Sequence, residues 1–188
     1  AGKVIHPIAA VPGGYSRPML EEERKELLAV VKEALDFSVF SLNFAKENVF
    51  PKYLDVINTV GVFPSGYLGT VRPSDGALEF HDGELRMMDQ NGNYEQFKYN
   101  EYQDYIAEHV EPWTYLKFPY MKKAGKIVLD ETNPVGVYRV NCLARINVCD
   151  TMATPLAQKE LEIFRSAFGR PAHQTLLYNY ARLIELIQ

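Results

Sequence analysis

The sequence predicts an α+β fold in which helices pack with a small antiparallel β meander. Apolar residues recur at helical spacing in the first quarter and the last quarter of the chain. Between them lie short β-branched and aromatic runs separated by Asp-Gly and Asn-Gly pairs, which favour tight hairpin turns. A chain of 188 residues suits one domain, and we expect residues 1–188 to form it, with a β-rich insertion at about 66–98.

The first predicted helix spans residues 19–47. Glu21, Glu22 and Glu23 lie in its first turns, where the helix dipole favours negative charge. Seven apolar residues predict its buried stripe: Leu27, Leu28, Val31, Ala34, Leu35, Val39 and Leu42. The run 37–44 also fits a strand, and a short second helix is expected near Pro51.

The predicted meander comprises the runs 67–71, 77–80, 84–89 and 94–98. Beyond it we expect a helical turn at 102–109 and a strand at 137–148. Thr154 and Pro155 predict a helix start, as cap and first-turn residue, and Gly169 predicts its end. A last amphipathic helix is expected at 172–188.

Composition excludes several function classes. A net charge of −4 argues against a nucleic-acid binder, although Lys117, Lys122 and Lys123 lie among aromatic residues. No apolar run approaches the length needed to cross a bilayer, so no membrane role is expected. Cys142 and Cys149 are seven residues apart, which would place them on opposite faces of a strand. We therefore expect two packed, reduced thiols and no disulfide.

Four boxes of sequence occur in an order typical of one protein family. They are segment 6–14 (His-Pro-Ile-Ala-Ala-Val-Pro-Gly-Gly), segment 104–123 with its Tyr-Leu-Lys-Phe-Pro run, segment 138–157, and segment 180–186. Together they resemble the large, catalytic subunit of nickel–iron hydrogenases, within it the cytoplasmic, bidirectional, NAD-linked type. Many members carry Gly-Pro where this chain has Asn141 and Cys142.

The resemblance implies that this segment belongs to an enzyme whose reaction requires the full subunit. The full subunit would reversibly oxidise dihydrogen at a nickel–iron centre and pass electrons toward NAD. Its expected partners are a small subunit, diaphorase subunits and the remainder of the large subunit. The family holds its metals through two Cys-x-x-Cys motifs, which this sequence lacks. We therefore predict no catalytic residue, metal ligand or cofactor in the segment, which acts as scaffold and subunit interface and is inactive in isolation.

The resemblance singles out His6. In the family the histidine of this segment lies near an iron–sulfur cluster of the small subunit, which implies a supporting role for His6 toward that cluster. The alternative is a histidine that only satisfies a loop carbonyl. His81, His109 and His173 show no metal-ligand spacing, so surface or capping roles are expected for them.

The ends of the chain favour an excised middle segment of a longer subunit. The chain begins at Ala1-Gly2, and its last helix carries no stop signal. Self-association of such a fragment through uncovered apolar surface is then possible. Two alternatives stay open: a quinone-module subunit of respiratory NADH dehydrogenase, and a non-catalytic interaction domain.

Overall fold

The computed structural model describes residues 10–15, 18–130 and 132–188. It divides into two compact units, Ala1–Phe37 and Ser38–Gln188. Helices and small sheets occur together, so the predicted α+β fold with an antiparallel meander is confirmed.

The unit Ala1–Phe37 contains a short hairpin and most of the first helix. Strand β1 (Ala10–Val11) pairs antiparallel with β2 (Gly14–Tyr15). Helix α1 (Glu21–Phe44) begins with three acidic residues, as predicted, and Arg24 forms an ion pair with Glu21 at 2.6 Å.

The unit Ser38–Gln188 begins within α1, which is helical through to Phe44, so the strand alternative for 37–44 is wrong. A π-helical turn (Ala45–Val49), a 3-10 turn (Phe50–Tyr53) and helix α2 (Leu54–Thr59) follow. Of the predicted stripe, Leu42 is buried, whereas Leu27, Leu28 and Val31 are exposed. The helical spacing was right, but it does not mark a stripe buried within this chain.

The main sheet has four strands. Strands β3 (Gly66–Val71), β4 (Glu84–Met88) and β5 (Tyr94–Phe97) form the antiparallel meander. The predicted strand at 77–80 is wrong, because Ala77 bridges Thr151 whereas Leu78 bridges Val71, so no continuous ladder forms.

A two-stranded sheet and a parallel edge strand follow the meander. Helix α3 (Tyr102–Tyr105) is shorter than the predicted turn, because strand β6 (Ile106–Val110) pairs antiparallel with β7 (Lys117–Met121). Strand β8 (Tyr138–Arg139) then joins β3 in parallel, which gives the sheet order β5-β4-β3-β8.

The predicted strand at 137–148 is wrong beyond β8, because helix α4 (Asn141–Val148) occupies most of it. Six of its eight residues are buried, and a short buried run cannot be assigned to helix or strand by periodicity alone. Helix α4 packs on β3 at Gly69, where a Cβ atom would lie 2.8 Å from a methyl group of Val148. This close contact places α4 at the centre of the core.

The last two helices enclose the core. Helix α5 (Pro155–Phe168) begins at Thr154, whose hydroxyl accepts a hydrogen bond from the Ala157 amide, and ends at Gly169, as predicted. A 3-10 turn (Thr175–Leu177) precedes helix α6 (Tyr178–Leu186). Within the described residues, no helix is long and apolar enough to span a membrane.

Candidate functional site

Charged side chains cluster at both ends of α4. At its start Asn141 adopts a φ of 74°, which non-glycine residues rarely do. The Asn141 Oδ1 atom accepts hydrogen bonds from the Cys142 amide at 2.7 Å and from the Cys142 thiol at 3.0 Å. It also accepts one from Arg145 at 3.2 Å. Strained residues cluster at functional sites, so this end of α4 is the candidate site.

A bidentate ion pair connects α4 to α6 beside Asn141. Arg145 donates from Nε and Nη2 to the two carboxylate oxygens of Glu185, at 2.7 and 2.6 Å. These hydrogen bonds raise the pKa of Arg145. Burial, followed by the neighbouring Glu185, raises the pKa of the Cys142 thiol. Because the thiolate is the nucleophile and the metal-binding form, Cys142 is held in its unreactive state.

Three arginines hold the other end of α4. Arg165 donates to the carbonyl oxygens of Ile146 and Cys149, at 2.8 and 2.6 Å. Arg86 and Arg170 both bind the Val148 carbonyl, at 2.9 and 3.0 Å. Cations are favourable at a helix C-terminus, where the last carbonyl groups have no helical partner.

Asp150 is the carboxylate in this arginine cluster. It pairs with Arg86 at 2.8 Å and with Arg170 at 3.1 Å. Although burial by itself raises the pKa of Asp150, the hydrogen bonds from the two arginines outweigh it and lower that pKa. The cluster therefore keeps a charged carboxylate and fixes the end of α4.

The geometry of the two thiols does not fit a metal centre. Both are free and buried, as predicted, and burial also raises the pKa of Cys149. They lie on α4 and just beyond its last residue, rather than on a strand. In the described parts of the chain, no group of three or more His, Cys, Asp and Glu side chains could hold a metal ion. Nickel or iron requires several ionised soft ligands, which these two protonated thiols do not supply.

The histidines occupy three different environments. His81 is exposed, and His109 contacts Glu111 at 2.7 Å. His173 instead joins a buried network, with its Nδ1 atom 2.8 Å from the hydroxyl of Tyr67. His6 lies outside the described residues, so its role toward an iron–sulfur cluster stays a prediction.

Two buried networks were missed by sequence reasoning. Burial raises the pKa of Tyr67 to about 12, while burial and then the nearby charge of Arg139 lower the pKa of His173. In the second network Glu160 accepts hydrogen bonds from Tyr180 and, at 2.9 Å, from Lys46 in the π-helical turn. The partners are 20 to 114 residues apart, so no local pattern could have signalled them.

These hydrogen bonds and ion pairs stabilise the fold rather than provide reactive groups. Burial raises the pKa of each thiol, and each carboxylate described above pairs with an arginine or a lysine. The arrangement fixes α4 between β3, α5 and α6.

Known proteins resemble this chain, although no family model matches it. It is 46% identical over 187 residues to a subunit of the F420-non-reducing hydrogenase vhu of Methanococcus voltae. The chain is similar to subunits of hydrogenases. A second relative, the NAD-reducing hydrogenase HoxS subunit beta of Cupriavidus necator, is 32% identical over 194 residues.

A solved hydrogenase structure also resembles this chain. A chain of an NAD+-reducing NiFe hydrogenase, crystallised in its H2-reduced state, matches with a TM-score of 0.83 at 32% identity. The match covers 97% of the present chain and 39% of that chain. The two curated relatives are likewise covered over 42% and 38% of their lengths, against 99% of this chain. The chain thus spans about two-fifths of the length of the relatives it matches.

These names correct the identification made from sequence. The relative from Methanococcus voltae belongs to an F420-non-reducing hydrogenase, and a 37% identical relative from Archaeoglobus profundus is named an iron–sulfur subunit. The NAD-reducing relative is less similar. The prediction of the large catalytic subunit of an NAD-linked nickel–iron hydrogenase is therefore wrong, and similarity to hydrogenase subunits replaces it. The respiratory NADH dehydrogenase and free-standing interaction-domain alternatives gain no support.

Proposed function

We propose that this chain is a structural part of a hydrogenase subunit and works within a multi-subunit hydrogenase complex. The observation that carries the proposal is the match in fold and sequence, with a TM-score of 0.83 over 97% of the chain at 32% identity. Dihydrogen is the proposed substrate of the complex, and the cytoplasm, where reduced thiols persist, is its proposed compartment.

In this proposal the segment has a structural role, and the redox metals are bound by other parts of the complex. The burial of Cys142 and Cys149, which raises the pKa of both thiols, supports this division, because a thiol must lose its proton before it binds a metal. The buried helix α4, held by charged side chains at both ends, supports a rigid structural role.

The proposed role also requires surfaces that meet partner subunits. The connection between β6 and β7 exposes two large aromatic residues, Trp113 at 72% and Tyr115 at 94% of their surface. Trp and Tyr are enriched at protein interfaces. We assign this connection to the interface with other parts of the complex.

The proposal is tested on the purified complex that contains this chain, isolated through a tag on a partner subunit. We expect hydrogen-dependent reduction of a viologen dye, and none from the 188-residue chain alone after addition of nickel. A complex that contains the chain but shows no hydrogen-dependent reduction contradicts the hydrogenase assignment.

The division of labour is tested by the variants Cys142→Ser and Cys149→Ser in the same complex. We expect its nickel and iron content, measured by plasma mass spectrometry, to remain unchanged. Thermal unfolding and a Cys149→Ala variant distinguish metal loss from misfolding. Loss of metal from a folded serine variant would show that this segment ligates the metal.

A further inference from the structure

The hydroxyl of Tyr67, in the unit Ser38–Gln188, has two possible acceptors at the same distance. Tyr67 lies in β3, and its side chain is fully buried. Its hydroxyl oxygen is 2.8 Å from the carbonyl oxygen of Ala172 and also 2.8 Å from the Nδ1 atom of His173. Because a phenolic hydroxyl carries a single hydrogen, it can donate to only one of these atoms at a time. The protonation state of His173 therefore selects the acceptor.

The other ring nitrogen of His173 fixes the tautomer of the neutral ring. Its Nε2 atom is 3.2 Å from the carbonyl oxygen of Gln90, in the turn between β4 and β5. A carbonyl oxygen only accepts hydrogen bonds, so Nε2 carries a hydrogen and Nδ1 of the neutral ring is an acceptor. Nδ1 then accepts the hydroxyl hydrogen of Tyr67. Burial raises the pKa of Tyr67 to about 12, so the hydroxyl keeps this hydrogen at every pH at which a histidine titrates.

Proton uptake by His173 reverses one of these hydrogen bonds. In the cationic ring Nδ1 also carries a hydrogen, which it donates to the oxygen of Tyr67. The hydroxyl hydrogen of Tyr67 then turns to the carbonyl oxygen of Ala172, which also accepts a hydrogen bond from Asn147 on α4 at 3.2 Å. Both ring nitrogens and the hydroxyl have a partner in each state. The half-buried ring can therefore change its charge without leaving a polar atom unpaired.

The groups that face His173 determine the pH range of this change. Arg139 on β8 donates to the backbone carbonyl of His173 at 2.7 Å, and burial followed by the charge of Arg139 lowers the pKa of His173. Tyr178, at the start of α6, is titratable and interacts with Tyr67 and Arg139. The carboxylate of Asp89, in the turn between β4 and β5, is bound by amides of that turn. The ring is therefore neutral near pH 7 and gains its proton below about pH 6.5.

We propose that Tyr67 and His173 form a pH-sensitive switch, in which protonation of His173 moves the hydroxyl hydrogen of Tyr67 from Nδ1 of the ring to the carbonyl oxygen of Ala172. One proton enters from solvent and binds Nδ1, while the O–H bond of Tyr67 turns and does not break. Asn147 forms two hydrogen bonds with the backbone of Ala172, so the switch connects the β4–β5 turn to α4. It follows from hydrogen-bond geometry and does not depend on the hydrogenase assignment.

The tautomer of the neutral ring is the first test. The 188-residue chain is labelled with ¹⁵N at its histidines and measured by long-range ¹H–¹⁵N correlation at about pH 8, above the ordinary histidine pKa of about 6.5. We expect His173 to carry its hydrogen on Nε2 and none on Nδ1. A neutral ring with its hydrogen on Nδ1 would overturn the proposal, since Tyr67 would then donate to Ala172 at every pH.

The carbonyl ¹³C signal of Ala172 follows the hydroxyl directly. In a chain labelled with ¹³C at the alanine carbonyls, we expect this signal to shift with the same midpoint as the ring of His173 while the pH is lowered. The signal of Ala157, buried in α5, should stay in place. Tyr67→Phe removes the hydroxyl and should abolish the shift, although His173 still titrates. A constant Ala172 signal in the parent, or an equal shift in Tyr67→Phe, would contradict the switch.

Two histidine variants separate the switch from other effects of pH. His173→Gln keeps the hydroxyl of Tyr67 but has no titrating ring, so the Ala172 signal should stay constant over the same pH range. His81→Gln changes an exposed histidine and should behave as the parent does. Near-ultraviolet circular dichroism should show a folded chain throughout the titration. Unfolding before His173 gains its proton would also refute the switch, because the folded network would then never hold that proton.

Discussion

The positive φ of Asn141 makes a sharp prediction about how α4 begins. Replacement by alanine removes the side-chain acceptor for the Cys142 amide and for Arg145, and keeps a Cβ atom at a φ of 74°. Loss of comparable hydrogen bonds at a helix start costs about 1 kcal/mol. A left-handed conformation costs a residue such as alanine about 1–2 kcal/mol, whereas asparagine offsets part of it through local hydrogen bonds. We therefore expect Asn141→Ala to lower the free energy of unfolding by about 2 kcal/mol.

Glycine at the same position is the matched control. Asn141→Gly loses the same hydrogen bonds but has no steric penalty at positive φ, so we expect a smaller loss of about 1 kcal/mol. A chain of this length shifts its melting temperature by about 2–4 °C for each kcal/mol. The alanine variant should therefore melt about 4–8 °C below the parent.

Urea and thermal unfolding, followed by circular dichroism, measure both variants. A two-state transition, shown by coincident near- and far-ultraviolet curves, is required for the comparison. If alanine and glycine destabilise the chain equally, the backbone conformation of Asn141 does not control the start of α4. A larger loss for glycine would contradict the reasoning altogether.

Three further perturbations test the core. Lys46→Met leaves the buried Glu160 carboxylate without its cation and should lower the free energy of unfolding in urea by about 1–3 kcal/mol. The loss is smaller than for a fully buried pair because Lys46 is partly exposed. An unchanged free energy of unfolding would mean that the ion pair does not stabilise the fold. His173 has a lowered pKa, so the unfolded chain binds its proton first as pH falls. Its contribution to stability is therefore complete above about pH 6.5 and declines below it. His173→Gln should flatten this decline in unfolding measurements between about pH 7 and 5, whereas the exposed His81→Gln should not. Gly69→Ala forces a Cβ atom against α4 and should cost about 1–3 kcal/mol by overpacking, and an unchanged melting temperature would show that the contact relaxes freely.

Part of the candidate site could be predicted from the sequence, because residue type and spacing alone indicate it. The count and spacing of Cys142 and Cys149 were enough to predict packed thiols without a disulfide, and both are free and buried. The anchoring of Arg145 to Glu185, 40 residues away, was not predictable, since nothing local marks two surface-type residues as partners. The family resemblance correctly pointed to hydrogenases but named the wrong subunit type, because a few short segments carry little information on subunit type.

The sequence by itself determined the elements whose signals are local. Asn91 and Gly92 turn β4 into β5, and Thr154 starts α5, because turn and cap chemistry acts within a few residues. Only the tertiary structure decided that 141–148 is a helix, since periodicity alone does not assign a short buried run to helix or strand. It also decided which charges meet, as in the contact between Lys46 and Glu160 across 114 residues, because such pairing depends on how the chain folds back on itself.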